Sequence, residues 1–173
     1  DAAPRPFVTP SLLNCDFAHV GKALDDLKAA GVFGVHLDVM DGHFVPNLSY
    51  GAPVAADWRK ATDFPFDTHL MMSDPGRYLD DFVRAGADII IFHIEAVPEP
   101  IPLLRRIREA GCRAGLTLNP PTPVSSVMPF LDQLDAVLAS GPDIVVVAVG
   151  TNDALHLTPL VEVERSFRRL VSR

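Results

Sequence analysis

In Val35-His36-Leu37-Asp38-Val39-Met40, alternate side chains of a strand share one face, so His36, Asp38 and Met40 point together while Leu37 and Val39 point the other way. In Thr68-His69-Leu70-Met71-Met72 the same alternation groups His69 with Met71. Two neighbouring parallel strands would thus each offer an imidazole with a methionine two residues on. A fully parallel sheet normally reads as an almost continuous apolar run, so a His and an Asp directed into it need partners. Taken singly, each histidine reads as a hydrogen-bonded core residue. Together, and late in their strands, they read as a metal site at the C-terminal mouth of a barrel. Two neutral imidazoles and a carboxylate suit Zn²⁺ or Fe²⁺, with a fourth ligand and an open position still to be supplied.

Outward from these two runs, short β-branched stretches alternate with helical patterns, the signature of βαβ units around a parallel sheet. Strands are predicted at Phe7–Leu13, Val35–Met40, Asp67–Met72, Ile89–Glu95, Arg113–Leu118, Asp135–Leu138 and Asp143–Val149. Helices are predicted at Asp16–Ala30, Pro53–Ala61, Pro75–Ala85, Glu99–Ala110 and Pro123–Leu134, with a last one from about Asp153 to Val171. Asp16 and Asp74 read as N-caps, Pro75 and Pro123 as first helical residues, and Gly31, Gly86 and Gly111 as C′ residues.

Strand centres at Val8, Leu37, Leu70, Ile91, Leu116, Val137 and Val146 are 29, 33, 21, 25, 21 and 9 residues apart. The last interval leaves only Ala139-Ser140-Gly141-Pro142 between strands, too short for a parallel crossover. An eightfold barrel of roughly 200 residues or more would need about one further strand and two helices at that point. The expectation is therefore a single-domain TIM (β/α)₈ barrel over residues 1–173, with sequence missing between Ala139 and Ser140.

The 173 residues are 48% hydrophobic and 21% charged, enough to bury one sizeable core. A net charge of −7 without a Lys/Arg cluster argues against a nucleic-acid surface. No apolar run reaches the roughly 18 residues of a membrane span, and Asp1–Pro6 lacks signal-peptide character, so no membrane association and a cytoplasmic location are expected. Cys15 and Cys112 show no framework spacing and read as buried or half-buried thiols. His19 and His156 fall on solvated helical segments. His43 and the His93/Glu95 pair are weaker site candidates, a structural hydrogen bond explaining the pair equally well.

Pro10-Ser11-Leu12-Leu13, the block from His36 to Asn47 (His-Leu-Asp-Val-Met-Asp-Gly-His-Phe-Val-Pro-Asn), Asp67-Thr68-His69-Leu70-Met71, Ala85-Gly86-Ala87-Asp88, His93-Ile94-Glu95-Ala96 and Gly115-Leu116-Thr117-Leu118-Asn119-Pro120 closely resemble the ribulose-phosphate 3-epimerase (pentose-5-phosphate 3-epimerase) family. The likeness runs from about Thr9 to Leu138. It implies a ribulose-phosphate-binding TIM barrel, an isomerase of the pentose phosphate pathway that interconverts D-ribulose 5-phosphate and D-xylulose 5-phosphate by inverting C3.

By that resemblance, His36, Asp38 and His69 match three of the four metal ligands. Asp38 doubles as one of two acid/base carboxylates. Ser11 matches a substrate-contacting serine, His69 also borders the substrate, and Met40 and Met71 match methionines that wall off the reacting carbons. One carboxylate would remove the C3 proton, a Zn²⁺, Fe²⁺, Mn²⁺ or Co²⁺ ion would stabilise the enediolate, and an opposed carboxylate would return a proton. The family draws that second carboxylate and the fourth ligand from an Asp-Gly-Gly block on its seventh strand. This sequence contains no Asp-Gly-Gly, nor the family's Gly-rich loop after strand six. The family's phosphate-holding Gly-Ser pair after strand eight aligns without gaps on Ala148-Val149, and Gly150-Thr151 takes its place only with a two-residue shift. Thr151 or Asn152 as a plain N-cap is the alternative. A homo-oligomer, dimer or hexamer, is implied.

Two other readings share the same residues. One is an epimerase for a related ketose phosphate such as D-allulose 6-phosphate. The other is a shortened protein that binds metal or sugar phosphate without turnover, although losing a barrel strand would expose core and sheet edges. A decarboxylase of the orotidine-phosphate type is disfavoured, because its motif needs a Lys where this chain reads Asp38-Val39-Met40-Asp41.

Overall fold

A computed structural model describes residues 9–119 and 121–134. Four strands, β1 (Val35–Met40), β2 (Phe66–Met71), β3 (Ile89–His93) and β4 (Arg113–Thr117), pair in parallel in the order β1-β2-β3-β4. Four helices, α1 (Val20–Ala29), α2 (Ala52–Arg59), α3 (Pro75–Arg84) and α4 (Pro100–Glu109), alternate with them. Sequential neighbours in a parallel sheet, each joined by a helical crossover, are the β/α-barrel arrangement expected from the sequence.

The boundaries follow local chemistry. Asp74 accepts a hydrogen bond from the Arg77 amide and Pro75 opens α3, where its missing N–H costs nothing. Gly31, Gly86 and Gly111 end α1, α3 and α4 at φ +73°, +92° and +88°, a backbone region that a Cβ disfavours. Helix α4 buries Leu103, Leu104 and Ile107 on one stripe, and α3 buries Leu79 and Phe82.

The imidazole and carboxylate side chains of the sheet lie on one face. Val35, Leu37, Val39, Phe66, Leu70, Ile90, Phe92, Ala114 and Leu116 belong to the main hydrophobic core, together with the buried residues of the helices. Met40, Met71, Ile89 and Ile91 are buried but stand apart from that core, on the face that alternation assigns to His36, Asp38 and His69. Truncating the fully buried Phe66 or Phe92 to Ala would cost about 3–5 kcal/mol.

Three expectations change. Of the first predicted strand, Phe7–Leu13, the described residues from Thr9 on give one parallel bridge, Ser11 to His36, before the chain turns into a 3₁₀ segment at Leu12–Asn14, and Phe7 and Val8 lie outside the described residues. The Ser11 hydroxyl accepts from the Leu13 amide and bends the backbone away from the sheet. The Asp16–Ala30 helix is split, with Asp16 capping a 3₁₀ turn at Phe17–His19 before α1 begins. Pro123–Leu134 forms two 3₁₀ segments, Val124–Ser126 and Met128–Gln133, instead of one helix. The predicted strands at Asp135–Leu138 and Asp143–Val149, the last helix, the Ala139–Ser140 junction, His156, Gly150 and Thr151 lie outside the described residues. No helix among the described residues is long and apolar enough to cross a membrane.

Candidate metal centre

The β1–β2 register pairs His36 with Asp67, Asp38 with His69 and Met40 with Met71. Parallel pairing with no offset sets six chemically related side chains in three rungs on the inner face. Asp38 stands at the centre. Its Oδ1 is 3.3 Å from Nε2 of His36 and 3.3 Å from Nδ1 of His69. One ligand atom from each of the three residues lies within 4.8 Å of the others. The other carboxylate oxygen, Oδ2, accepts from the Ser11 hydroxyl, which the Ser11–His36 bridge brings across from the chain ahead of α1.

Asp67 holds the far side of His36, with Oδ2 2.8 Å from Nδ1. It is 1% exposed, and its Oδ1 has no hydrogen-bond partner. A buried carboxylate on the second nitrogen of an imidazole orients the ring and raises its basicity, the usual support for a metal-ligating histidine. Burial alone would lower the His36 pKa, but Asp38 and Asp67 outweigh it and lift it to about 9. Burial likewise opposes the charge on Asp38, yet the His36 and His69 rings and the Ser11 hydroxyl against it hold its carboxyl well below the usual carboxylate range. Anionic and imidazole donors converging in a buried pocket, with a carboxylate behind one imidazole, fit a divalent cation of the Zn²⁺ or Fe²⁺ kind.

A third imidazole borders the cluster. Nε2 of His93, the last residue of β3, is 2.8 Å from Nε2 of His69, and its Nδ1 is 3.4 Å from Oε2 of Glu95. Desolvation and then the neighbouring His69 push the His93 pKa down to about 4. The Phe44 ring, from the β1–α2 loop, packs on His93 at 4.7 Å between centroids. That loop is tied down by Asp41, which accepts from the amides of His43, Phe44 and, across to the β2–α3 loop, Ser73, each at 2.8 Å. Desolvation opposes the charge on Asp41, but these contacts together outweigh it and lower its pKa to about 2.

Of the residues singled out from sequence, Ser11, His36, Asp38, Met40, His69 and Met71 gather here. Met40 and Met71 are buried and paired one rung above Asp38 and His69. His43 is exposed and bonded to the Asp41 carbonyl, and His19 is an exposed partner of Asp16. Cys15 is half-buried and Cys112 buried, both free. Asp67, behind His36, went unassigned in the sequence, and His93, a weaker candidate there, is in contact with His69. Asp67 stands two residues before His69 and so shares its strand face, which was the available signal.

A model of the Ribulose-phosphate 3 epimerase family matches residues 7–144. The Treponema pallidum "Ribulose-phosphate 3-epimerase" is 52% identical over 128 residues, covering 72% of this chain and 59% of that protein. The Bacillus subtilis protein of the same name is 45% identical over 131 residues, covering 76% and 60%. The Escherichia coli one is 44% identical over 132 residues, covering 76% and 59%. The matched part of the chain thus spans about three-fifths of each relative's length. By the extent of the family match and by these identities, this chain belongs to the ribulose-phosphate 3-epimerase family, whose fold is the TIM barrel.

Proposed function

We propose that this protein interconverts D-ribulose 5-phosphate and D-xylulose 5-phosphate by exchanging the proton on the carbon beside the ketone. The observation that carries the reading is the Asp38 carboxylate, with Oδ1 between two imidazoles and Oδ2 on the Ser11 hydroxyl. It separates a ligand oxygen from an oxygen that can take a proton. Asp38 is ionised throughout the neutral range, the form a general base needs. Its weak basicity falls far short of what a C–H beside a ketone demands, and Lewis-acid charge on the sugar oxygens would have to make up the difference.

His36, Asp38 and His69 would hold the divalent ion, Zn²⁺ or Fe²⁺ by donor type. The ion, when bound, supplies Lewis-acid charge toward the sugar oxygens. Met40 and Met71 exclude water from the reacting carbons, Ser11 orients Asp38 and the substrate, and Gly150 and Thr151 are proposed to hold the phosphate through backbone amides. Inversion also requires an opposed carboxylate, and none stands against this cluster among the described residues. The reading extends to a cytoplasmic homo-oligomer acting in the pentose phosphate pathway from one barrel domain.

The test is conversion of D-ribulose 5-phosphate by the zinc- or iron-loaded protein, with D-allulose 6-phosphate assayed in parallel. Preferred turnover of the pentose supports the reading, and preferred turnover of the hexose moves the activity to the related epimerase. Metal binding with no turnover of either leaves a binding protein.

A further inference from the structure

His93 has no part in the reaction proposed above, yet it is 4% exposed and in direct contact with His69. The two rings have centroids 4.9 Å apart and planes 26° apart while their Nε2 atoms are 2.8 Å apart. They therefore meet edge to edge, as an in-plane hydrogen bond requires, rather than face to face. Between two neutral imidazoles only one of these nitrogens carries the proton.

The direction of that bond decides what His69 shows to Asp38. If His93 donates, its Nδ1 is a bare lone pair buried 3.4 Å from a Glu95 carboxylate oxygen, an arrangement in which two acceptors oppose each other. If His69 donates, His93 carries its proton on Nδ1, where it faces the Glu95 carboxylate at 3.4 Å without completing a hydrogen bond. Oε1 of Glu95 accepts from the Asn119 amide at 2.8 Å, in the loop after β4, the Thr122 side chain also bonds the carboxylate, and Oε2 stands 3.4 Å from Nδ1 of His93.

We propose that His93 and Glu95 are positioning residues that select the tautomer of His69. The Glu95 carboxylate, 3.4 Å away, favours the proton of His93 on Nδ1 by its charge, Nε2 of His93 accepts from Nε2–H of His69, and Nδ1 of His69 is left as a lone pair facing Asp38. This rests on the reading of His36, Asp38 and His69 as a metal site. A lone pair 3.3 Å from a carboxylate oxygen is unfavourable alone and favourable with a cation between them. Asp67 does for His36 what the His93–Glu95 pair does for His69, and both ligand nitrogens are then turned inward.

Ring ¹⁵N spectra of the metal-stripped and zinc-loaded full chain, with zinc affinity measured by competition against a chromophoric chelator, test the proposal. The zinc-loaded protein should carry its protons on Nε2 of His69 and Nδ1 of His93. His93→Phe and Glu95→Ala should each weaken zinc binding about 10–100-fold, and His93→Gln, which keeps an acceptor oxygen, should recover part of the loss. Zinc on Nε2 of His69, or unchanged affinity in both His93→Phe and Glu95→Ala, overturns the relay. If His93→Phe fails to fold, the spectra of the unaltered protein decide. Absence of zinc binding by the unaltered protein overturns the metal reading and the relay together, whereas normal binding with unaffected variants overturns the relay alone.

Discussion

His36 and Asp67 meet across the first two strands, Nδ1 to Oδ2 at 2.8 Å, and this contact turns the opposite nitrogen of the ring toward Asp38. Asp67→Ala should therefore lower zinc affinity about 10–100-fold with the parallel sheet retained, as other losses of a carboxylate behind a ligand histidine do. Chelator competition measures the affinity and circular dichroism the fold. Equal affinity in variant and parent would detach Asp67 from the site.

Asp38→Asn keeps the shape of the side chain and removes its charge and basicity. Turnover should fall about 10²–10⁴-fold, the range general acid–base catalysis supplies. Ribulose 5-phosphate conversion by a protein of unchanged thermal stability is the measurement. Full activity in Asp38→Asn would remove the carboxylate from the chemistry.

Metal removal should show in stability as well as activity. A ligand at about 100 times its Kd stabilises the folded state by about 2.7 kcal/mol, which for a chain of this size raises Tm by about 5–10 °C. A thermal melt of the chelator-treated protein with and without added zinc checks this. Coincident melts would show that His36, Asp38 and His69 hold no ion.

Asp41 makes the protein acid-sensitive in a defined window. Its pKa is about 2 in the folded protein against an ordinary 3.8, so the folded state favours the ionised form. That stabilisation is complete above about pH 4 and is lost as pH falls through 2. Asp41 is partly exposed, so solvent screening reduces the effect, and the expected loss is about 1 kcal/mol. Denaturant midpoints between pH 4 and pH 2 should fall less for Asp41→Asn than for the parent. Parallel declines would leave the depressed pKa without a role in stability.

Gly115 faces Ile91 across the β3–β4 pair, and a Cβ built there would stand 2.9 Å from Cγ1 of that residue. Gly115→Ala should destabilise the fold by about 1–3 kcal/mol through overpacking. A denaturation curve with unchanged slope and a lower midpoint is the expected result. A midpoint at or above the parent's would mean that Ile91 moves aside freely.

Much of this molecule could be read from residue patterns because the governing interactions are local. Asp74 with Pro75 starts α3, and Gly86 ends it, through backbone geometry within one turn. Alternation in Val35–Met40 puts His36, Asp38 and Met40 on one face whatever lies beside the strand. Two of the differences from the expected elements arise where a side chain competes with the backbone. The Ser11 hydroxyl bends the chain out of the first predicted strand, and the Asp16 carboxylate starts a 3₁₀ turn where a longer helix was expected.

Sequence by itself determined the ligand types, their strand faces and the family. Tertiary structure alone decided which rung faces which. Strand pairing has no local signature, since a one-residue slip between β1 and β2 would bring different residues opposite each other and turn one set to the wrong face. The observed register sets Asp38 against His69, brings Asp67 behind His36, and lets β3 deliver His93 to the edge of His69. A histidine's second nitrogen takes whatever acceptor the neighbouring strand carries, so which groups meet His36 and His69 is a property of the sheet, not of any one strand.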